Sequence, residues 1–125
     1  MPTTILVMGL LLAAPVAKKA QPASPPPTAE VAPDAATVAQ AADLRKKGIG
    51  HMRAGDNIKA LPLLKQAVKL DPASPDNLRA LAGCLSRLNH FDEAAEYYRK
   101  FLVLAPNDPA AGSIRKALEN YQQSR

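Results

Sequence analysis

The sequence is poor in the side chains that build catalytic and metal sites. Its 125 residues include one cysteine, Cys84, and two histidines, His51 and His90. A single cysteine excludes an intramolecular disulfide and a cysteine-rich zinc site. The two histidines lie far apart in the chain without an acidic partner at ligand spacing, and we expect them at the groove edge or in a turn. There is also no glycine-rich phosphate loop and no Ser-His-Asp set, so we expect no enzyme activity, no cofactor, no metal and no small-molecule substrate.

Aromatic residues are scarce as well, with no Trp, three Tyr and two Phe. A core must therefore be built from Leu, Ala, Val and Ile, which suits helices packed closely through small side chains. We expect Cys84 to be one of these small core residues. The formal net charge of +5 favours acidic partners, but it does not single out nucleic acid, because much of it can lie on a solvated helix surface.

The first 17 residues contain no charged side chain, and Ile5–Leu12 is apolar except for Gly9. Small residues follow, which is the order of the apolar region and cleavage region of a secretory signal peptide. The segment 1–17 therefore predicts export to the periplasm or outside the cell. An uncleaved membrane anchor and a buried or disordered apolar tail are the alternatives, and we expect membrane contact only through this segment.

Residues 18–33 are rich in Pro and Ala and hold almost no large apolar side chain. Such a segment cannot bury enough surface to offset its ordering entropy. Its prolines favour the polyproline II conformation, so we predict a disordered, semi-rigid spacer. The remaining residues, 34–125, are predicted to form the folded domain.

A period of 34 residues begins at residue 41 and relates the units 41–74 and 75–108. The positions identical in both units are Leu44 and Leu78, Arg45 and Arg79, Arg53 and Arg87, Ala60 and Ala94, Leu70 and Leu104, and Pro72 and Pro106. Each unit predicts two helices. The recurring prolines mark the unit ends, because the residue before a proline is disfavoured in the α region.

The second unit has clear signals at its helix boundaries. Asp76 or Asn77 is predicted to cap the first helix, and Asn89-His90 to form the turn before the second. The side chains with the helical spacing of a buried face are Leu78, Leu81, Ala82, Leu85 and Leu88. Small residues stand where the two helices of a pair must approach closely: Gly48 and Ala82 in the first helices, and Ala60 and Ala94 in the second.

Helical signals continue on both sides of the two units. Upstream, Asp34 is predicted to cap a helix that begins near Ala35, with Val38 and Ala42 extending its apolar stripe. Downstream, residues 109–124 predict one more helix, whose apolar stripe consists of Ile114, Ala117, Leu118 and Tyr121. Its opposite face is polar, which is how a solenoid covers its last open side.

The recurring residues resemble the pattern of tetratricopeptide repeats, in which large, small and aromatic residues alternate at set positions of two helices and a proline ends the unit. The second unit supplies Leu78, Leu81, Ala82, Leu85, Phe91, Ala94, Tyr98 and Pro106, and the first supplies Leu44, Gly48, Ala60, Leu64, Ala67 and Pro72. The departures from the pattern are Lys47, His51, Asn57 and Phe101. The resemblance implies an all-α, right-handed solenoid of antiparallel helix pairs and a non-catalytic protein–protein interaction module.

The resemblance also implies that the first helix of each unit lines a concave groove. The side chains expected in it are Arg45, Ile49, Met52, Arg53, Asp76, Arg79, Ser86 and Arg87. Because the guanidinium group pairs well with carboxylates, the four arginines predict a ligand that is an acidic segment or free C-terminus of another protein. The alternative is that these arginines are ordinary solvated surface.

Two other kinds of function stay open at this stage. The repeats can pack permanently as a scaffold, in a homodimer or in an envelope or secretion assembly, since two units are near the minimum for a stable solenoid. The same basic face can also bind an anionic polymer such as acidic polysaccharide, with nucleic acid not favoured.

Overall fold

The computed structural model describes residues 32–125. Within this range the helices are α1 (Ala35–Arg53), α2 (Asn57–Leu70), α3 (Pro75–Arg87), α4 (Phe91–Leu104) and α5 (Ala111–Gln123). The helices α1 and α2 form one antiparallel pair, α3 and α4 form the next, and α5 packs on α4. The predicted all-α solenoid is confirmed. The predicted targeting segment 1–17 and most of the predicted spacer lie outside the described residues.

Hydrogen bonds at the helix ends explain where the helices begin. The Asp34 Oδ1 atom accepts from the Thr37 amide at 2.8 Å, as predicted, and this bond holds the pKa of Asp34 below its ordinary value. The prediction for α3 was wrong, because its cap is neither Asp76 nor Asn77. Ser74 caps this helix and accepts from the Asn77 amide at 3.3 Å. The helix then begins at Pro75, where a missing amide hydrogen costs nothing.

The turns inside the two pairs share one geometry. Gly55 and Asn89 occupy equivalent repeat positions, and both have a positive φ, of 86° and 66° respectively. Glycine enters this left-handed region without a steric penalty, and asparagine tolerates it better than most residues. The amides of Asp56 and His90 each donate, at 2.8 Å, to a carbonyl in the last turn of the preceding helix. The same turn therefore reverses the chain in both units.

Close approach of α1 and α2 depends on Gly48. A methyl group added at Gly48 would lie 2.7 Å from Cγ of Leu64, which is fully buried. Leu64 belongs to a core cluster together with Ala60, Leu81 and other small or aliphatic residues of α3 and α4. The predicted role of a small residue at Gly48 is confirmed, because Leu64 occupies the space that a side chain would need.

The larger of two facing buried side chains comes from a different helix at each of the two junctions of the solenoid. At the junction of α2 and α3, the equivalent repeat positions hold Ala67 and Asn77, whereas at the junction of α4 and α5 they hold Phe101 and Ala111. All four residues are buried. Phe101, one of the departures from the family pattern, packs in a second core cluster with Leu78 and Ile114. Its bulk is therefore accommodated by the small residue opposite.

Lys47, another departure, is explained by its place at the first end of the solenoid. The residue equivalent to Lys47 in the second unit is Leu81, which is buried against the preceding pair, whereas Lys47 is exposed. The other end follows the same rule. Arg115, Lys116 and Glu119 of α5 are exposed, although the equivalent residues of α3 are apolar and buried. Both ends of the described solenoid are thus solvated by polar side chains.

The first turns of α1 do not bury Val38, which was expected to extend the apolar stripe of this helix. Val38 is 40% exposed, while Ala41 is fully buried. The helix α1 has 19 residues and α2 has 14, so the N-terminal turns of α1 extend beyond the helix that would cover them. None of the helices in residues 32–125 combines the length and hydrophobicity that crossing a bilayer requires.

The Gly48 contact predicts that two glycines of α1 respond to alanine in opposite ways. We expect Gly48→Ala to lower the free energy of unfolding of the full chain by about 1–2 kcal/mol, because overpacking outweighs the gain in helix propensity. The matched control is Gly50→Ala, since Gly50 has no neighbouring atom within 4 Å of an added methyl group. It should raise stability by about 0.5–1 kcal/mol. Urea denaturation measures both, and two stabilised variants would contradict the close approach.

Candidate functional site

A cavity of about 440 Å³ opens between the first helices of the two units. We call it the basic cavity, and it is lined by Arg45, Ile49, Met52, Asp76, Arg79, Ala80, Gly83 and Tyr98. Arg45 and Arg79 are equivalent residues of the two units, so the repeat places two guanidinium groups around one opening. Ile49 and Met52 add apolar surface between them.

Arg45 is held in place by a buried amide. Its Nη1 atom donates to Oδ1 of Asn77 at 2.7 Å. The Nδ2 atom of Asn77 donates in turn to the carbonyls of Ala67 and Asp71, each at 3.3 Å. Asn77 is only 1% exposed, and its bonds add a second donor to carbonyls at the C-terminal end of α2 that also accept from the amides of Asp71 and Ser74. One side chain thus joins α1, α2 and α3 and orients an arginine of the cavity.

Arg79 is held less firmly than Arg45. Its Nη2 atom lies 3.7 Å from Oδ1 of Asp76, in an ion pair between two side chains that are about half exposed. Such surface pairs contribute little to stability, since solvent screens them. The guanidinium carbon also lies 6.0 Å from the centroid of the Phe101 ring. A carboxylate entering the cavity can therefore replace Asp76 as the partner of Arg79 at small cost.

The structure brings together five of the eight residues predicted for the groove and separates three of them from the basic cavity. Arg53 and Arg87 are not among the residues that line it. The Nη1 atom of Arg87 donates to the carbonyl of Met52 at 3.1 Å, at the C-terminal end of α1, where a helix dipole favours a cation. Ser86 lines a different cavity. The predicted face of four arginines is thus reduced to two at this opening.

Tyr98 was missed by the sequence prediction, because it belongs to the second helix of its unit. It reaches the basic cavity beside Gly83, where an added methyl group would lie 3.8 Å from the Tyr98 hydroxyl oxygen. The sequence did carry one signal. Gly83, in the middle of α3, has no side chain, and Tyr98 of α4 reaches the cavity through the space that this leaves.

A second cavity, of about 470 Å³, lies between α4 and α5 and also reaches the end of α3. We call it the apolar cavity, and it is lined by Ser86, Phe91, Ala94, Ala95, Tyr98, Ala117, Leu118, Asn120, Tyr121 and Ser124. Phe91 is 49% exposed, although it is the first residue of a core helix. Tyr98 lines both cavities, so they adjoin at this residue.

Cys84 is a core residue rather than part of either cavity. It is fully buried, and its Sγ atom donates to the carbonyl of Asn57 at 3.3 Å. Burial raises the pKa of the Cys84 thiol, which disfavours the nucleophilic thiolate. The residues 32–125 hold no group of three or more His, Cys, Asp or Glu side chains placed to bind a metal ion.

Comparison with known proteins agrees with this architecture. Residues 51–122 match the family described as tetratricopeptide repeat. A stretch of 59 residues is 44% identical to cellulose synthase operon protein C of Pseudomonas fluorescens (strain SBW25). This stretch covers 47% of the present chain but only 5% of that protein, so the similarity concerns a small part of the relative.

The hydrogen bonds of Asn77 predict that its side chain is needed for stability. We expect Asn77→Ala to lower the free energy of unfolding by about 2–3 kcal/mol, because Arg45 loses its acceptor and the carbonyls of Ala67 and Asp71 each lose one of two donors. Asn57→Ala is the control, since the Asn57 amide oxygen is buried without a hydrogen-bond partner among the described residues. That change should cost clearly less. Equal losses in urea denaturation would show that the Asn77 bonds do not stabilise the junction.

Proposed function

The chain belongs to the tetratricopeptide-repeat family, and we propose that it binds an acidic segment or free C-terminus of a partner protein in the basic cavity. Repeats of this family mediate contacts between proteins and are generally non-catalytic, so the chain is a protein interaction module. The observation that carries the finer proposal is the pair of equivalent arginines, Arg45 and Arg79, at one opening.

The chemistry of the opening supports a carboxylate ligand. Each guanidinium group offers several N–H donors in a plane, which matches the two oxygens of a carboxylate. Asn77 engages only the Nη1 atom of Arg45, so the remaining donors of this group are available for a ligand. Because Asn77 already orients Arg45, less side-chain freedom is lost on binding. Ile49 and Met52 offer apolar contact to the rest of an extended peptide.

Two Arg→Glu substitutions test the proposal, one in the basic cavity and one outside it. The probes are synthetic peptides ending in two aspartates with a free carboxylate, and the same peptides with asparagines and an amidated end. Arg79→Glu in the full chain should weaken the acidic peptide by at least about tenfold, as expected for a lost charged hydrogen bond. Fluorescence anisotropy measures the affinity.

Arg99→Glu serves as the control, because Arg99 is exposed on α4 and does not line the basic cavity. It changes the net charge equally. If both variants lose the same affinity, only long-range charge is involved and the cavity is not the site. A steep fall of affinity for acidic polysaccharide with salt, alongside no binding of the peptides, would instead favour an anionic polymer as ligand.

A second candidate function is that of a structural subunit whose repeats pack permanently into an assembly. It is favoured by the number of repeat units, since two are near the minimum for a stable solenoid. The polar residues at both ends of the described solenoid argue against stacking of copies end to end, since Lys47, Lys116 and Glu119 would have to be desolvated.

We also propose that residues 1–17 export the protein or anchor it to a membrane, which would place the basic cavity in an extracytoplasmic compartment. The support is the uncharged apolar segment followed by small residues. N-terminal sequencing of the native protein from cell fractions tests this. A mature chain that begins close after residue 17 is expected for export, and an intact Met1 in a cytosolic fraction would exclude both forms of the proposal.

A further inference from the structure

The two arginines of the basic cavity have different partners, although they stand at equivalent repeat positions. Arg45 donates to Oδ1 of Asn77, the buried amide of the next helix pair, at 2.7 Å. The residue that stands in the same relation to Arg79 is Ala111, whose methyl side chain offers no acceptor. Arg79 therefore lacks the neutral partner that orients its counterpart.

A carboxylate takes the place of that partner at Arg79. The Nη2 atom of Arg79 lies 3.7 Å from Oδ1 of Asp76, one turn earlier on α3. This separation allows an ionic attraction but exceeds the length of a hydrogen bond, so Asp76 does not use the N–H donors of the guanidinium group. The residue equivalent to Asp76 in the first unit is Ala42, so the first unit has no carboxylate at this position.

Three charged side chains line the basic cavity, namely Arg45, Asp76 and Arg79. The amide of Asn77 is neutral, so it leaves the positive charge of Arg45 uncompensated. Asp76, in contrast, offsets the charge of Arg79 at short range. The lining of the opening thus carries one net positive charge rather than two, and a carboxylate of the chain itself already stands beside the second arginine.

Asp76 can leave Arg79 without a large loss of stability. Its side chain is 60% exposed, so it can turn toward water. It also lies in the first turn of α3, where the helix dipole favours a negative charge whether or not Arg79 is its partner. Arg79 has a second contact, since its guanidinium carbon lies 6.0 Å from the centroid of the fully buried Phe101 ring. The arginine can therefore keep its place while its carboxylate partner changes.

We propose that Asp76 is an internal competitor of the acidic ligand and determines how many carboxylates of the ligand contribute to binding. A first carboxylate binds Arg45, whose charge is uncompensated. A second one reaches Arg79 only by displacing Asp76, so one ion pair is exchanged for another and little affinity is gained. Asp76 thereby makes the cavity select a segment with one carboxylate almost as well as a densely acidic one. This inference rests on the proposed function, because it concerns the same cavity and the same ligand.

The test counts the carboxylates that the cavity uses. The probes are labelled peptides of equal length with amidated ends, which carry two asparagines, one aspartate at either position, or two aspartates. For the unmodified full chain, the first aspartate should strengthen binding by about tenfold and the second by less than about threefold. In Asp76→Asn the second aspartate should add about tenfold, because Arg79 is then free of a competing carboxylate. Fluorescence anisotropy gives the affinities.

Asp43→Asn is the matched control, because it changes the net charge equally at a different surface. Asp43 is exposed on α1 and does not line the basic cavity. Removal of its charge can strengthen all acidic peptides slightly through the long-range field, but it should leave the contribution of the second aspartate below about threefold.

The outcomes separate the competitor from the site itself. If aspartates strengthen binding but the second one contributes equally in the unmodified chain and in Asp76→Asn, the basic cavity remains the site and competition by Asp76 is overturned. Weaker binding of the acidic peptides to Asp76→Asn would also overturn it, since Asp76 would then contact a donor group of the ligand. An equal gain in Asp43→Asn would assign the effect to long-range charge. If no aspartate strengthens binding to the unmodified chain, the proposed function falls as well.

Discussion

The buried amide of Asn77 is the contact on which the arrangement of the first three helices depends. It bonds the carbonyls of Ala67 and Asp71 at the end of α2 and accepts from Arg45 of α1. A polar group that is 1% exposed stabilises a fold only when its partners are in place. These bonds therefore specify how α3 lies against the first pair. The same contact orients an arginine of the basic cavity, so the side chain that joins the helices also positions a residue of the candidate site.

The second junction is built differently, although the chain repeats. Alanine stands at the position of Asn77, and Phe101 takes the place of Ala67. Hydrogen bonding at the first junction is thus replaced by aromatic packing at the second. Packing of this kind joins α4 and α5 around Phe101 but leaves the start of α4 uncovered near Phe91. The apolar cavity lies at this second junction, between α4 and α5.

Much of the fold could be predicted from residue spacing. The small residue at Gly48, the cap at Asp34 and the turn at Asn89 follow from local sterics and hydrogen bonding, which act within a few residues of the chain. The predicted cap at Asp76 or Asn77 was wrong because Ser74 can also cap a helix, and Pro75 favours the helix start that directly follows Ser74. The exposure of Val38 was missed because it depends on the length of the neighbouring helix rather than on its own periodicity.

The candidate site was less predictable than the fold. Repeat spacing predicted Arg45, Arg79 and Arg87 on one groove surface, and of these Arg45 and Arg79 line the basic cavity. Arg87 instead bonds a carbonyl at the end of α1, a partner that comes from another helix and has no signature in the local pattern. Tyr98 was missed for a related reason, since a side chain of the second helix reaches the opening only because Gly83 leaves space.

The sequence by itself determined which segments are helical and where they turn, because helical periodicity, proline and glycine act locally. That two units of antiparallel pairs stack into a solenoid followed from the resemblance to tetratricopeptide repeats. The sequence also predicted the polar outer face of α5. Only the tertiary structure decided which arginines reach the basic cavity and that the apolar cavity shares Tyr98 with it. Those features depend on how side chains from three helices divide one volume, and the spacing along a single helix does not specify that division.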